Sequence, residues 1–225
     1  MQIEANEKLC SHKEIESFYD RLGGWLDTQR FFKAPALNRL LHYSDFQHAR
    51  YVFELGCGTG RLAEKILLSN PELVYHGTDL SSTMVKLAQS RLKRFGGRAT
   101  VALADSTVGI ELPNGATDRF VSTYVFDLMS TIEIQSLLAE AYRILADEGK
   151  LCLVSLTKSK QLFGRILTSM WSRVHQINPI LMGGCRPLEL MELVGQTKWR
   201  MLHVSQASRF GLTSEVLVAE KRIEK

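Results

Sequence analysis

The organisation of this chain is clearest in the stretch Tyr51-Val52-Phe53-Glu54-Leu55-Gly56-Cys57-Gly58-Thr59-Gly60-Arg61. An apolar run that contains one acid is followed by three glycines at alternate positions, and then by apolar residues at helical spacing. This order predicts a strand, a tight turn and a helix, with glycines where the backbone must approach a ligand closely. The spacing is G-x-G-x-G, and Arg61 stands where the dinucleotide-binding fingerprint has its third glycine.

Downstream of this stretch, predicted strands alternate with predicted helices. Helices are expected at 62–68, 83–95 and 132–145, and strands at 73–78, 99–104, 118–126 and 151–156. Pro71 and the pair Gly96-Gly97 end the first two helices. The alternation predicts an α/β fold with a parallel, doubly wound sheet that is buried on both faces.

The two ends of the chain have a different character. Apolar residues at helical spacing predict an amphipathic helix from Ile15 to Leu26 and a second helix over 36–41. After 158–174, which also has helical spacing, Pro187 is expected in the first turn of a helix that runs to about Val194. Two β-like runs, 199–204 and 214–221, follow with about nine residues between them.

Composition sets limits on function. The 225 residues are 45% hydrophobic and carry a formal net charge of +4, which fits one domain with a full core and gives no basic stripe for nucleic acid. The four cysteines and six histidines are dispersed, so we expect reduced thiols, a cytoplasmic protein and no metal site. The N-terminus has no signal-peptide core, and no apolar run is long enough to span a membrane.

The glycine loop, together with Asp79 at the end of the second predicted strand, resembles the cofactor loop of the class I S-adenosylmethionine-dependent methyltransferases. The resemblance covers about 51–221 and is greatest to the branch that acts on small molecules, lipids and quinones. It implies a Rossmann-like, mostly parallel seven-stranded sheet that ends in an antiparallel hairpin. It also implies a methyltransferase domain over 49–225, an N-terminal helical cap over 1–48, and a substrate-recognition insertion at 158–195.

The resemblance also assigns roles around S-adenosylmethionine. Glu54 would help to hold the methionine amino group, and Asp79 would accept hydrogen bonds from the ribose hydroxyls. At the end of the third strand, Asp105 and Ser106 would lie near the adenine, and Leu80 and Met84 would pack apolar atoms against it. The full set implied for the cofactor is Glu54, Gly56, Gly58, Gly60, Asp79, Leu80, Met84, Asp105, Ser106, Thr123 and Tyr124.

The acceptor side of the site is less defined by the sequence. Asp127 follows the fourth strand and is either a group that orients or deprotonates the acceptor, or a capping or surface acid. Tyr19 and Phe18 either cover the site as part of a lid or pack as core. Trp171, on a predicted apolar helical stripe, and Arg186, after a Gly-Gly turn, are candidate acceptor contacts.

The sequence therefore predicts methyl transfer from S-adenosylmethionine to a small, hydrophobic acceptor by in-line displacement. We expect a monomer or homodimer with no nucleic-acid partner and no membrane span, although a basic amphipathic helix would permit peripheral membrane contact. Two alternatives remain open at this point. One is a methyltransferase-like scaffold or regulatory protein without turnover, and the other is an NAD(P)-dependent oxidoreductase, which the glycine spacing disfavours.

Overall fold

The computed structural model describes residues 11–23, 30–104, 109–158, 185–195 and 198–222. Seven strands form one sheet in the order β3-β2-β1-β4-β5-β7-β6. The strands are β1 (Tyr51–Leu55), β2 (Val74–Asp79), β3 (Ala99–Leu103), β4 (Thr117–Thr123), β5 (Leu145–Leu156), β6 (Trp199–Arg209) and β7 (Leu212–Lys221). Strands β1 to β5 are parallel to one another, whereas β7 runs antiparallel to both β5 and β6. The predicted fold class is confirmed.

Six α-helices are found in the described residues. They are α1 (His12–Leu22), α2 (Arg30–Tyr43), α3 (Arg61–Ser69), α4 (Ser82–Leu92), α5 (Thr131–Ile144) and α6 (Leu190–Val194). Two apolar clusters fill the space between the sheet and these helices, one built around Ile66 and Tyr75 and the other around Phe120 and Ile144. None of the described helices is long and apolar enough to cross a membrane.

Helix boundaries follow local chemistry. Ser81 caps α4 by accepting a hydrogen bond from the Met84 N–H, and Ser130 with Glu133 forms a capping box at the start of α5. At the other end of the sheet, Asp118 accepts hydrogen bonds from the backbone N–H groups of Arg50 and Tyr51. This places Asp118 in a structural role.

Several predicted boundaries were wrong, among them the end of β4 and the start of β5. Helix α2 was predicted over 36–41 but begins at Arg30 and continues through Pro35 to Tyr43, although proline in a helix interior removes a hydrogen bond. Pro187 precedes α6 but does not lie in it, since this helix is only five residues long. The hairpin has a two-residue turn, Phe210-Gly211, with both φ angles positive at 52° and 80°, so the expected loop of about nine residues is absent.

Candidate functional site

The glycine loop joins β1 to α3, and its three glycines differ in function. Gly56, Gly58 and Gly60 have φ angles of +72°, +53° and +76°, a region that side chains disfavour. A Cβ at Gly56 would collide with the Val125 side chain, and one at Gly60 would lie 3.1 Å from Ala88. A Cβ at Gly58 would meet nothing within 4 Å. Gly58 is therefore the glycine that leaves space beside the loop.

Asp79, the last residue of β2, is tied to this loop. Its Oδ2 accepts a hydrogen bond of 2.8 Å from the Gly58 N–H, and its Oδ1 accepts one of 2.9 Å from the Ser81 N–H. Burial raises the pKa of Asp79. Beside it, the Thr78 hydroxyl is buried and has no hydrogen-bond partner among the described residues. This edge of the sheet thus presents a carboxylate and an unsatisfied hydroxyl to one space.

Glu54 on β1 is 1% exposed and lies beneath the loop. Its Oε2 accepts a 2.6 Å hydrogen bond from the Tyr75 hydroxyl. Burial raises the pKa of Glu54 to about 8, while the hydrogen bond from Tyr75 acts in the opposite direction. A carboxyl in this environment gains most from a cationic partner, since a positive charge offsets the cost of its own desolvation.

A cavity of about 600 Å³ opens in front of these groups. Glu54, Gly56, Gly58, Asp79, Leu80, Met84, Thr123 and Tyr124 all line it, so eight of the eleven predicted cofactor residues meet at one place. Gly60 is not among the lining residues, and Asp105 and Ser106 lie outside the described residues. The remaining wall is largely apolar and includes Ile15, Leu37, Ile110, Leu112, Leu128 and Met129.

Helix α1 forms one side of this cavity. Ile15, Glu16 and Tyr19 line it, whereas Phe18 is not among its lining residues and makes an edge-to-face contact with Tyr19 at 5.5 Å between ring centroids. Burial raises the pKa of Tyr19 well above its usual range, and hydrogen bonding to Cys185 adds to the effect. The geometry therefore favours Tyr19 as a cavity residue and Phe18 as packing around it.

Asp127 occupies a different environment from the one expected of a base that meets the acceptor. It is fully buried and is absent from the cavity wall. Its Oδ1 accepts a hydrogen bond from the Ser155 hydroxyl, and its Oδ2 accepts one of 3.0 Å from the Leu156 N–H. Burial raises the pKa of Asp127 to about 7. Because both oxygens accept hydrogen bonds inside the protein, this geometry favours a structural role for Asp127.

Arg186, one of the two remaining acceptor candidates, is not among the residues that line the cavity. The Arg186 guanidinium donates a hydrogen bond from Nη2 to the Met129 carbonyl oxygen, at 2.7 Å. The backbone N–H of Arg186 donates to the Asp127 carbonyl. It supports the backbone behind Met129, which is itself a wall residue. Trp171 and most of the predicted 158–195 insertion lie outside the described residues.

Sequence reasoning missed Lys33, which lines the cavity from α2. Its Nζ lies 4.6 Å from the centroid of the Tyr124 ring. Tyr124 has a φ of 59°, rare for a large side chain, and its hydroxyl is 2.9 Å from the Ser214 Oγ. The signal that would have revealed Lys33 is a continuous helical pattern through Pro35, which the proline concealed.

Comparison with known proteins is consistent with this geometry. Residues 53–151 match the model of a family described as a methyltransferase domain. The tRNA N(3)-methylcytidine methyltransferase Mettl2 of Drosophila melanogaster is 28% identical over 163 residues, 67% of this chain and 50% of that protein. The demethylmenaquinone methyltransferase of Leptospira interrogans is 28% identical over 174 residues, 75% of this chain and 67% of that protein. The chain thus spans between half and two thirds of these relatives.

Among solved structures, the [4+2]-cyclase SpnF superposes with a TM-score of 0.72 over 98% of this chain and all of that one, at 14% identity. At this identity the likeness concerns the fold alone. It also shows that the fold is shared by a protein described as a cyclase, so the chemistry has to be argued from the site.

The fold and the cavity define an α/β protein that binds a nucleotide-type cofactor where the parallel strands end. Residues 53–151 thus match a methyltransferase domain, and the fold is the one found in S-adenosylmethionine-dependent methyltransferases of known structure. The described residues fit this cofactor. The free space at Gly58 and the unsatisfied Thr78 hydroxyl accommodate a polar ligand, Glu54 suits an ammonium group, and Asp79 suits a pair of hydroxyls.

Proposed function

We propose that this domain transfers the methyl group of S-adenosylmethionine to a small, hydrophobic acceptor that occupies the part of the cavity beneath α1. One observation carries the proposal: a single cavity has cofactor-type polar groups on the loop side and an apolar wall on the other. A volume of about 600 Å³ is within the range of cofactor and small-ligand sites.

The chain's residues have three tasks in this reaction. The cofactor supplies an activated methyl group when it is bound. Glu54, Asp79 and the loop around Gly58 fix its orientation, and the walls formed by α1 and α2 exclude water from the reacting atoms. Tyr124, held in its unusual backbone conformation at the end of β4, contributes a rigid aromatic surface between the polar and apolar parts.

The cap over 1–48 and the methyltransferase domain over 49–225 are part of this proposal. Support comes from α1, which lies over the cavity and contacts α4. We further propose a cytoplasmic protein that acts as a monomer or homodimer and has no nucleic-acid partner. The relatives named above include both a tRNA methyltransferase and a quinone methyltransferase, so the choice between acceptor classes rests on the largely apolar lining of the cavity.

The test is formation of S-adenosylhomocysteine by the purified protein. Hydrophobic small-molecule extracts should support turnover, whereas bulk tRNA should not. Turnover with tRNA alone would contradict the acceptor class. Tight cofactor binding without turnover on any acceptor would favour a scaffold instead.

A further inference from the structure

Lys33 lines the reaction cavity, and no carboxylate of the described residues is paired with it. Within the described part of the chain, its Nζ makes no hydrogen bond or ion pair, and its polar contact is with the face of the Tyr124 ring. A second ring, that of Phe32, lies 5.7 Å from the same atom. An amine so placed has lost much of its hydration without gaining a carboxylate in exchange, and this weakens its hold on a proton.

Among the described residues, Cys185 and Asp127 are the titratable groups that act on Lys33. Asp127 and Tyr124 both lie after β4, and Cys185 precedes α6. Cys185 and Asp127 also act electrostatically on Tyr19 of α1 and on Tyr124. Burial lowers the pKa of Lys33, and Cys185 and Asp127 oppose this without reversing it. A positive sulfonium bound in the same cavity would disfavour the ammonium form further.

Given methyl transfer as proposed above, we propose that Lys33 is the general base of the reaction and that the acceptor carries an acidic hydroxyl of the phenol or enol class. The Lys33 nitrogen takes the proton of this hydroxyl. The acceptor oxygen then forms a bond to the methyl carbon while the carbon–sulfur bond breaks, and sulfur keeps the electron pair. The products are an O-methyl ether, S-adenosylhomocysteine and protonated Lys33, which returns its proton to solvent.

The acceptor class follows from matching acid to base. A phenol has a pKa near that of tyrosine, about 10, which an amine base can approach, whereas an alkyl alcohol is far weaker as an acid. The apolar walls from Leu37, Ile110 and Met129 suit the ring of such an acceptor. The high pKa of Tyr19 keeps its hydroxyl protonated, so that it can donate a hydrogen bond to the ionised oxygen.

The test uses 4-nitrophenol, whose phenolate form absorbs visible light, and the full-length protein with and without saturating S-adenosylhomocysteine. At a pH below the probe's own pKa, the wild type should produce a phenolate band beyond that of the free probe. Lys33→Met should remove the band. Lys33→Arg should keep the band, because a fixed cation still stabilises the phenolate, but with S-adenosylmethionine it should not methylate the probe, because a guanidinium cannot take the proton. Lys65→Met, at an exposed lysine of α3, should behave as the wild type in both measurements.

Absence of the band in the wild type, or its persistence in Lys33→Met, would overturn the proposal. Calorimetry with S-adenosylhomocysteine on the same samples separates this failure from failure of the proposed function. Unchanged cofactor affinity in Lys33→Met, together with loss of the band, assigns the effect to the acceptor side. A wild type that ionises the probe but does not bind S-adenosylhomocysteine would overturn methyl transfer and, with it, the role of Lys33 in that reaction.

Discussion

The carboxylate of Asp20 on α1 accepts a 2.5 Å hydrogen bond from the hydroxyl of Ser81, the residue that caps α4. The same oxygen accepts a weaker bond of 3.2 Å from the Thr83 N–H. Because the Ser81 backbone also donates to Asp79, the helix that covers the cavity is attached directly beside the acid that we assign to the cofactor ribose. Cofactor binding and closure of the cavity should therefore be coupled.

Replacing Asp20 with Ala removes this attachment. We expect amide hydrogen exchange in α1 to become about three- to tenfold faster, as for loss of a hydrogen bond of ordinary net strength. Asp147→Ala, which removes an exposed acid away from the cavity, is the control and should leave α1 unchanged. Unaltered exchange in Asp20→Ala would show that α1 is held by apolar packing alone.

Gly58→Val should block cofactor binding while the chain stays folded, because the new side chain fills the open space beside the loop. The matched control is Gly115→Val, at a turn glycine with φ +66° where a Cβ would also have room. Both variants carry left-handed strain of about 1–2 kcal/mol. Equal cofactor affinities in the two proteins, measured by calorimetry, would remove the glycine loop from the site.

Asp79→Ala should weaken cofactor binding by about 1.5–3 kcal/mol, or roughly 10- to 150-fold, as expected for lost charge-assisted hydrogen bonds. Asp118→Ala provides a close comparison, since Asp118 also accepts two backbone N–H bonds but at the opposite end of β1. It should lower the melting temperature without changing affinity. A similar loss of affinity in both variants would mean that Asp79 acts only through the fold.

Stability of the cofactor-free protein should fall as the pH rises from about 5 to 8. The raised pKa values of Glu54, to about 8, and Asp127, to about 7, mean that the folded state holds protons which the unfolded state releases near pH 4. The stabilising contribution is complete below the unfolded pKa and is lost as pH rises through the folded one. Glu54→Gln should flatten this decline in a melting-temperature series; an unchanged slope would contradict the burial of an ionisable Glu54.

Asp127→Asn tests whether the buried acid acts on the acceptor. An amide keeps one acceptor oxygen but presents N–H to a hydrogen-bond donor, so we expect about 1–3 kcal/mol of destabilisation in urea. Cofactor affinity and turnover per folded molecule should stay near the wild-type values. A loss of turnover of 100-fold or more at unchanged stability would restore Asp127 as the general base.

The sequence was sufficient for the parallel core of the fold, and eight of the residues that it predicted around the cofactor line one cavity. The bounds of strand β1 were predicted to the residue, because the glycines that follow it mark its end. Capping serines and acids at strand ends mark other boundaries in the same local way. The hairpin extent was missed because Phe210-Gly211 is an unusual pair for a two-residue turn, and because a polar edge strand such as 205–209 lacks an apolar pattern. These errors concern boundaries and not topology.

The acceptor side was harder to predict for a physical reason. Asp127 and Lys33 differ in whether they face the cavity, and that depends on packing between elements distant in sequence. Asp127 was singled out by its position after β4, yet Ser155 and Leu156 of β5 enclose it. Lys33 was overlooked because Pro35 hides the helix that carries it into the cavity. The local sequence pattern indicates neither the burial of Asp127 nor the position of Lys33 at the cavity.

The most direct test of the central claim is calorimetric titration of the purified protein with S-adenosylmethionine and S-adenosylhomocysteine, with NADH as the control. We predict micromolar binding of both sulfur compounds at one site per chain, none of NADH, and loss of the binding in Gly58→Val. Binding of NADH alone, or of none of the three, would contradict the assignment of the cavity to S-adenosylmethionine.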